Sequence, residues 1–337
     1  MKATGKTTLL EIYAEKKSEN HRIANLYTFL SQLKTESAEA CGRYAKKANE
    51  IKNCASTVCE FIDRTEVPPV LRYLASFCHN RFCPLCIYKA SKQYFKLVLD
   101  ICKHERAKNC AYLFLTLTIR NCEESELGGT ITQLLDAYTR LINGNRKQFS
   151  KRFLGTFRTL ECTYNARART YHPHFHILVM IDKSYFTDTK KYLTKTKLAE
   201  VWQKALGVDY LPSVDIRATY NTSANTVAEV SKYSVKSSEI QNAYILRAYD
   251  KAFYKRRLKS FTGLFREIRN DVLREWKSGK RTISLSEIQG NKNIIANLYK
   301  WDFFRGQFRL AEKNFSAKEI ENAEVAEVID MSFFDDD

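Results

Sequence analysis

The chain has 337 residues, 44% of them hydrophobic, with 11 glycines and 5 prolines; this is length for roughly two domains with real cores, and it excludes a collagen-like or low-complexity chain. Its formal charge of +17 attracts polyanions, nucleic acid first among them. No stretch approaches the roughly 18 apolar residues of a membrane span, and Met1–Lys17 intersperses Lys2, Lys6, Glu11, Glu15 and Lys16 where a signal peptide needs an apolar run, so the protein is expected in the cytoplasm, off the membrane, with its 10 cysteines reduced.

Residues 1–50 read as a polar, helix-compatible N-terminal arm in which little chemistry is expected. Residues 51–109 read as a cysteine-rich module followed by a helix. From Cys54 to Cys86 the chain carries Pro68-Pro69, which points to loops rather than regular elements, and residues 87–108 place Tyr94, Leu97, Val98 and Ile101 in helical register. Cys78, Cys83 and Cys86 stand at a C-x4-C-x2-C spacing suited to a structural Zn²⁺. Cys54 and Cys59 are both available as the fourth ligand, with His79 behind them, and reduced buried cysteines without metal are the alternative. The scattered cysteines at 41, 102, 110, 122 and 162 are expected to fill cores.

Residues 110–239 have the order strand (111–119), helix (130–149), strand (155–164), strand (174–181), helix (195–206), strand (213–217) and helix (223–236). This order matches the split β-α-β unit, an α+β, ferredoxin-like antiparallel sheet covered by helices on one face and open for a site on the other. Asn165–Thr170 reads as the hairpin loop between the second and third strands. Residues 240–315 read as largely helical and very basic, and 316–337, with eight acids against Lys318, as a mobile acidic tail.

His172, His174 and His176 alternate along one strand, so their imidazoles share a face. A hairpin centred near residues 168–169 brings Glu161 opposite His176, and two imidazoles with a carboxylate make a mixed N/O site for Mg²⁺ or Mn²⁺. A surface strand with histidines of no consequence is the alternative. Such a metal site polarises a phosphoryl oxygen, which phosphodiester cleavage needs. In Ala228–Lys236 (AEVSKYSVK), Glu229, Tyr233 and Lys236 share a helical face. Tyr233 is the candidate nucleophile, giving a 5′-phosphotyrosine; Lys236 is the supporting cation, and Glu229 can direct a water. Taken alone, in a chain with 19 tyrosines, a ring packed in the core is the commoner use of such a residue.

Phe114–Thr118 (FLTLT), Glu161–Asn165 (ECTYN), His172–Val179 (HPHFHILV) and Glu229–Lys236 (EVSKYSVK) occur in that order. Together with Trp202 and Val208–Arg217 (VDYLPSVDIR), they resemble the rolling-circle plasmid replication initiators of the HUH endonuclease superfamily, over about Cys54–Arg269. The resemblance implies that His174 and His176 bind the catalytic metal, with Glu161 as third ligand and His172 a neighbour. It implies that Tyr233 nicks one strand at the double-strand origin and leaves a 3′-hydroxyl for a host polymerase, and that Glu229 replaces a second tyrosine, directing water at termination. The family-like context Ile51-Lys52-Asn53-Cys54 favours Cys54 as the fourth zinc ligand. The implied partners are plasmid origin DNA, as duplex and as extruded single strand, with host helicase, DNA polymerase and single-strand-binding protein; a homodimer is compatible. Competing readings are a relaxase or single-strand transposase of the same superfamily, and a non-enzymatic zinc-containing DNA-binding protein, for which the cysteines and the charge suffice.

Overall fold

The computed structural model describes residues 8–337 apart from 145–152, 189–191, 220–223, 233, 280–287, 289, 317, 320–322, 326–327, 329–332 and 334–337. The chain divides into two compact units, residues 1–90 with 277–333 and residues 91–276 with 334–337.

Helix α1 (Leu9–Ser31) starts at a capping box in which Thr8 and Glu11 each accept the other's backbone N–H. Helix α2 (Ala38–Asn53) starts at Ser37, whose hydroxyl accepts from Ala40 N. These two helices are not the exposed arm expected from their polarity. Ile23, Tyr27 and Leu30 on one and Tyr44 and Ile51 on the other are buried, with the Tyr27 and Tyr44 rings 5.9 Å apart. Apolar residues at three- and four-residue spacing suffice to pack a helix that is polar elsewhere.

Strands β1 (Thr57–Asp63) and β2 (Val70–Ala75) occupy the stretch expected to be loops; Pro68-Pro69 falls in the connection between them, where no ladder donor is needed. The chain continues through α3 (Pro84–Lys103), β3 (Cys110–Thr118), α4 (Glu124–Gly144), β4 (Phe153–Asn165), β5 (Thr170–Asp182), α5 (Lys195–Leu206), β6 (Val214–Thr219) and α6 (Ala224–Val230). It ends with α7 (Ala243–Phe253), β7 (Lys259–Thr262), α8 (Gly263–Gly279), β8 (Ile294–Asp302), β9 (Gln307–Glu312) and β10 (Glu324–Val325). The strand-helix alternation expected from β3 to α6 is present in that order. Residues 240–315, expected to be largely helical, also hold β7, β8 and β9: Ile294–Asp302 is rich in β-branched and aromatic residues, and Gly306, at φ +61°, turns it into β9.

In the first unit the sheet order is β10-β2-β1-β8-β9, antiparallel except where β10 joins β2. Cys59, Phe61, Ile294 and Ala296 form the core on one face, and Ile62, Leu71 and Phe315 on the other. In the acidic tail, β10 is paired and Glu319 bonds Arg64 at 2.9 Å.

The sheet of the second unit is antiparallel throughout, in the order β6-β3-β5-β4-β7. Phe175 on β5 packs against Tyr138 of α4 and Trp202 of α5, and the Trp202 indole donates to Thr118 O at 2.7 Å. The opposite face is not bare, as expected, but partly covered. Tyr94 of α3 stacks on Phe157, Phe265 of α8 meets Tyr112, and Thr159 donates to Val230 O of α6. The cause is compositional: Tyr112, Phe114, Phe157, Leu178 and Met180 point to that face, and such an apolar area demands cover. Among the described residues no helix is long and apolar enough to cross a membrane.

Candidate active site

The β4–β5 hairpin turns through residues 166–169, with Asn165 Oδ1 accepting from Arg167 N and Ala168 N. This is about one residue earlier than the centre expected. Glu161 therefore lies opposite His174, and Thr159 opposite His176, a shift of two residues along β5 that keeps the same side chains on the same face. The three side chains converge nonetheless: Glu161 Oε2 is 3.1 Å from His176 Nε2 and 3.8 Å from His174 Nε2.

Glu161, His174 and His176 each offer a ligand atom within 4.8 Å of the others, and all are largely buried. The outer ring nitrogens are engaged elsewhere. His174 Nδ1 lies 3.1 Å from His172 O, and His176 Nδ1 3.3 Å from Thr116 Oγ1, which leaves both Nε2 atoms aimed at the carboxylate. Burial holds the His174 imidazole down at about 4, against smaller raising effects that include the Glu161 charge. Burial pushes Glu161 up, but the His176 hydrogen bond and the charges of His174, His176 and Lys236 outweigh it, and the carboxyl stays below its ordinary range. Two imidazoles beside a carboxylate are the donor set a hard or borderline divalent cation takes. His172 stacks on His174 at 5.0 Å but offers no atom to the group.

The helix expected to run from 223 to 236 stops at Val230. The carbonyls that would accept from the next turn are taken by side chains: Val230 O by Thr159, Ser231 O by Ser91 and Lys259, and Lys232 O by Lys259. Ser234 O then accepts from Cys162 N at 2.8 Å, so the backbone beyond the helix runs beside β4, one residue from Glu161. Lys236 is not on a helix shared with Glu229, yet its charge reaches Glu161. Glu229 pairs with Lys232 and borders a hollow whose wall is Phe114, stacked on His176 at 5.4 Å. Tyr233 lies outside the described residues.

Two contributors escaped the sequence reading. Thr116 sits in the FLTLT motif, where only pairing of β3 with β5 reveals that it orients His176. Glu239 is half-buried with Oε2 unbonded; burial pushes its carboxyl up, Lys236 opposes this and Glu161 adds to it. No spacing rule links residue 239 to residue 161.

In the first unit, Cys54, Cys78, Cys83 and Cys86 form a second group of potential ligands, with Cys86 Sγ 3.6 Å from both Cys54 Sγ and Cys78 Sγ. Cys59 lies in the sheet core instead, and burial lifts its thiol to about 12. His79 is likewise outside the group. Hydrogen bonds from Cys78, Cys83 and Cys86 hold the Cys54 thiol far below its ordinary value, and burial pushes Cys83 and Cys86 up. Four convergent sulfurs are the donor set of a structural zinc site. Lys17 of α1 lies fully buried beside them, its ammonium donating to Lys52 O at 2.8 Å, to Ser56 Oγ at 3.0 Å and to Cys54 O. Asn20 Oδ1 accepts from Leu85 N and from the Cys83 thiol.

The profile of the replication protein family matches residues 71–308. A "Protein rep" from Streptococcus pneumoniae serotype 2 is 33% identical over 228 residues, covering 65% of this chain and 70% of that protein. One from a Bacillus species is 31% identical over 257 residues, covering 68% and 81%, and one from Lactiplantibacillus plantarum is 27% identical over 317 residues, covering 86% and 92%. No solved structure matches the chain.

Proposed function

The chain belongs to the replication protein family, and we propose that it is a plasmid rolling-circle initiator that nicks one strand of its origin through Tyr233. The observation that carries this reading is the buried Glu161, His174 and His176 group, on a sheet whose strands β6-β3-β5-β4 follow the split β-α-β order, extended by β7. That order supports the HUH endonuclease fold. Glu161, His174 and His176 would hold a divalent ion, Mg²⁺ or Mn²⁺, which when bound supplies Lewis-acid polarisation of a phosphoryl oxygen.

The chain's own residues supply the rest. The Tyr233 phenol attacks the phosphorus; the oxygen–phosphorus bond formed replaces the bond to the 3′ oxygen, and the proton lost by the phenol is balanced by the one the departing oxygen gains. The products are a 5′-phosphotyrosine and a 3′-hydroxyl fit to prime synthesis. Lys236, close enough to bear on Glu161, offsets charge gathering at the phosphate. Glu229, on a rim joined to His176 through Phe114, directs a water at the phosphodiester when the round ends. Origin DNA is the partner, cytoplasmic in setting, with host helicase, polymerase and single-strand-binding protein acting downstream. Zinc at Cys54, Cys78, Cys83 and Cys86 is structural.

Incubating the protein with supercoiled plasmid carrying its origin, with Mn²⁺ or with chelator, tests this. Open circles with one mapped 5′ end, formed only with metal, are expected. Retarded but uncut plasmid under both conditions favours the non-enzymatic DNA-binding reading instead.

A further inference from the structure

Beside the imidazole pair, on the same face of the second unit's sheet, lies an open hollow of about 310 Å³, at the small end of the range that bound small molecules occupy. Phe114, Arg217, Thr219, Asn225, Thr226 and Glu229 border it. Phe114 is 3% exposed, stacks on His176 at 5.4 Å, and carries the Arg217 guanidinium 5.1 Å from its ring centre. The hollow and the candidate metal group therefore share one wall.

The chemistry of the rim selects among the parts of a nucleotide. Arg217 is paired with Asp215 at 2.8 Å and Glu229 with Lys232, so each charge is already matched and the rim offers a phosphate no uncommitted cation. Asn225 brings an amide with donors and an acceptor, and Thr226 a hydroxyl. Arg217 presents a planar cation, the surface on which a nucleobase stacks. A flat, uncharged group with its own donors and acceptors fits this lining better than an anion does.

We propose that the hollow receives the unstacked base of the nucleotide adjoining the phosphate held at Glu161, His174 and His176, and that Arg217 and Asn225 set the preference for that base. The proposal rests on the nicking reading above. A base leaves its stack at least cost in single-stranded DNA, the form in which an extruded origin would present it. Arg217 is largely exposed, so its replacement leaves the fold in place.

The test uses the full chain and a single-stranded origin oligonucleotide in which each nucleotide in turn is replaced by an abasic site. Binding is read by fluorescence anisotropy, and cleavage separately with Mn²⁺. For the wild type, one position next to the cleaved bond is expected to weaken binding about tenfold when abasic. The Arg217→Ala, Asn225→Ala double variant should lose about the same factor on the intact oligonucleotide, and nothing further from the abasic site. A flat scan, or a double variant that retains the whole abasic penalty, overturns the proposal. Absence of cleavage with a normal binding scan sinks the nicking reading and leaves the base site standing.

Discussion

Glu161 faces His174 across the β4–β5 hairpin, yet its carboxylate reaches closer to His176, at 3.1 Å against 3.8 Å. One oxygen thus sits between two ring nitrogens, a buried carboxylate that a divalent cation bound there would compensate. Since loss of a group that merely orients a ligand costs about 10–100-fold in metal affinity, Glu161→Gln should cost at least about 100-fold for Mn²⁺ by calorimetry. His172→Ala should change the affinity by less than about threefold, because His174 is oriented by the main-chain oxygen of residue 172 rather than by its ring. Equal losses in the two variants would contradict the assignment of ligands.

The four clustered thiols should retain one zinc ion per chain and resist iodoacetamide until a chelator is added. Cys59 should resist both before and after. Its thiol is pushed from 9.0 to about 12, first by burial and then by the Glu60 charge. A raised thiol binds its proton more tightly in the folded state, so this burial contributes fully below pH 9.0 and is lost as the pH rises towards 12. Mass spectrometry of the alkylated peptides at pH 8 reads both results, and zinc-dependent protection of Cys59 in place of Cys54 would reassign the fourth ligand.

Lys17 gives its ammonium to two main-chain oxygens and one hydroxyl beside the sulfur cluster. Lys17→Met takes this donor from the buried Cys54 O and from two half-buried acceptors, at a cost of about 2 kcal/mol. A lowered urea midpoint, together with faster zinc release to a chromogenic chelator, is the expected pair of results. An unchanged release rate would separate Lys17 from the cluster.

Gly155 lies where the first turn of α8 crosses β4; a methyl group there would stand 2.5 Å from Phe265 N. Because the opposing atom is backbone, Gly155→Ala should destabilise the protein by about 3 kcal/mol. Gly128→Ala meets nothing closer than the Arg256 guanidinium at 3.9 Å and lies inside α4, so it should stabilise by up to about 1 kcal/mol. Thermal melts of the two variants moving in the same direction would refute this account of the close approach.

The legible parts of the sequence were those with a local period. His172, His174 and His176 declared a shared face by alternation alone, and β3 to α6 appeared in order because each element carried its own apolar repeat. The pairing of β1 with β8 was not legible, since nothing local ties Glu60 to Asn297. The early end of α6 was hidden for the same reason: Thr159, Ser91 and Lys259 remove its carbonyls from sequence positions far away. Lys17 falls in a stretch legible only as polar and helix-compatible, because only folding brings its ammonium beside the cysteines. Register was right in face and off by two residues, since a turn centred one residue earlier moves every partner two places along β5.

The central claim, that a tyrosine is the nucleophile served by the Glu161, His174 and His176 group, is tested most directly by trapping the protein on its origin strand with Mn²⁺, digesting it, and finding by mass spectrometry which residue carries the nucleotide. A single adduct on Tyr233 is expected, absent in Tyr233→Phe and in His176→Ala. An adduct on any other residue, or one formed equally well without His176, would contradict it.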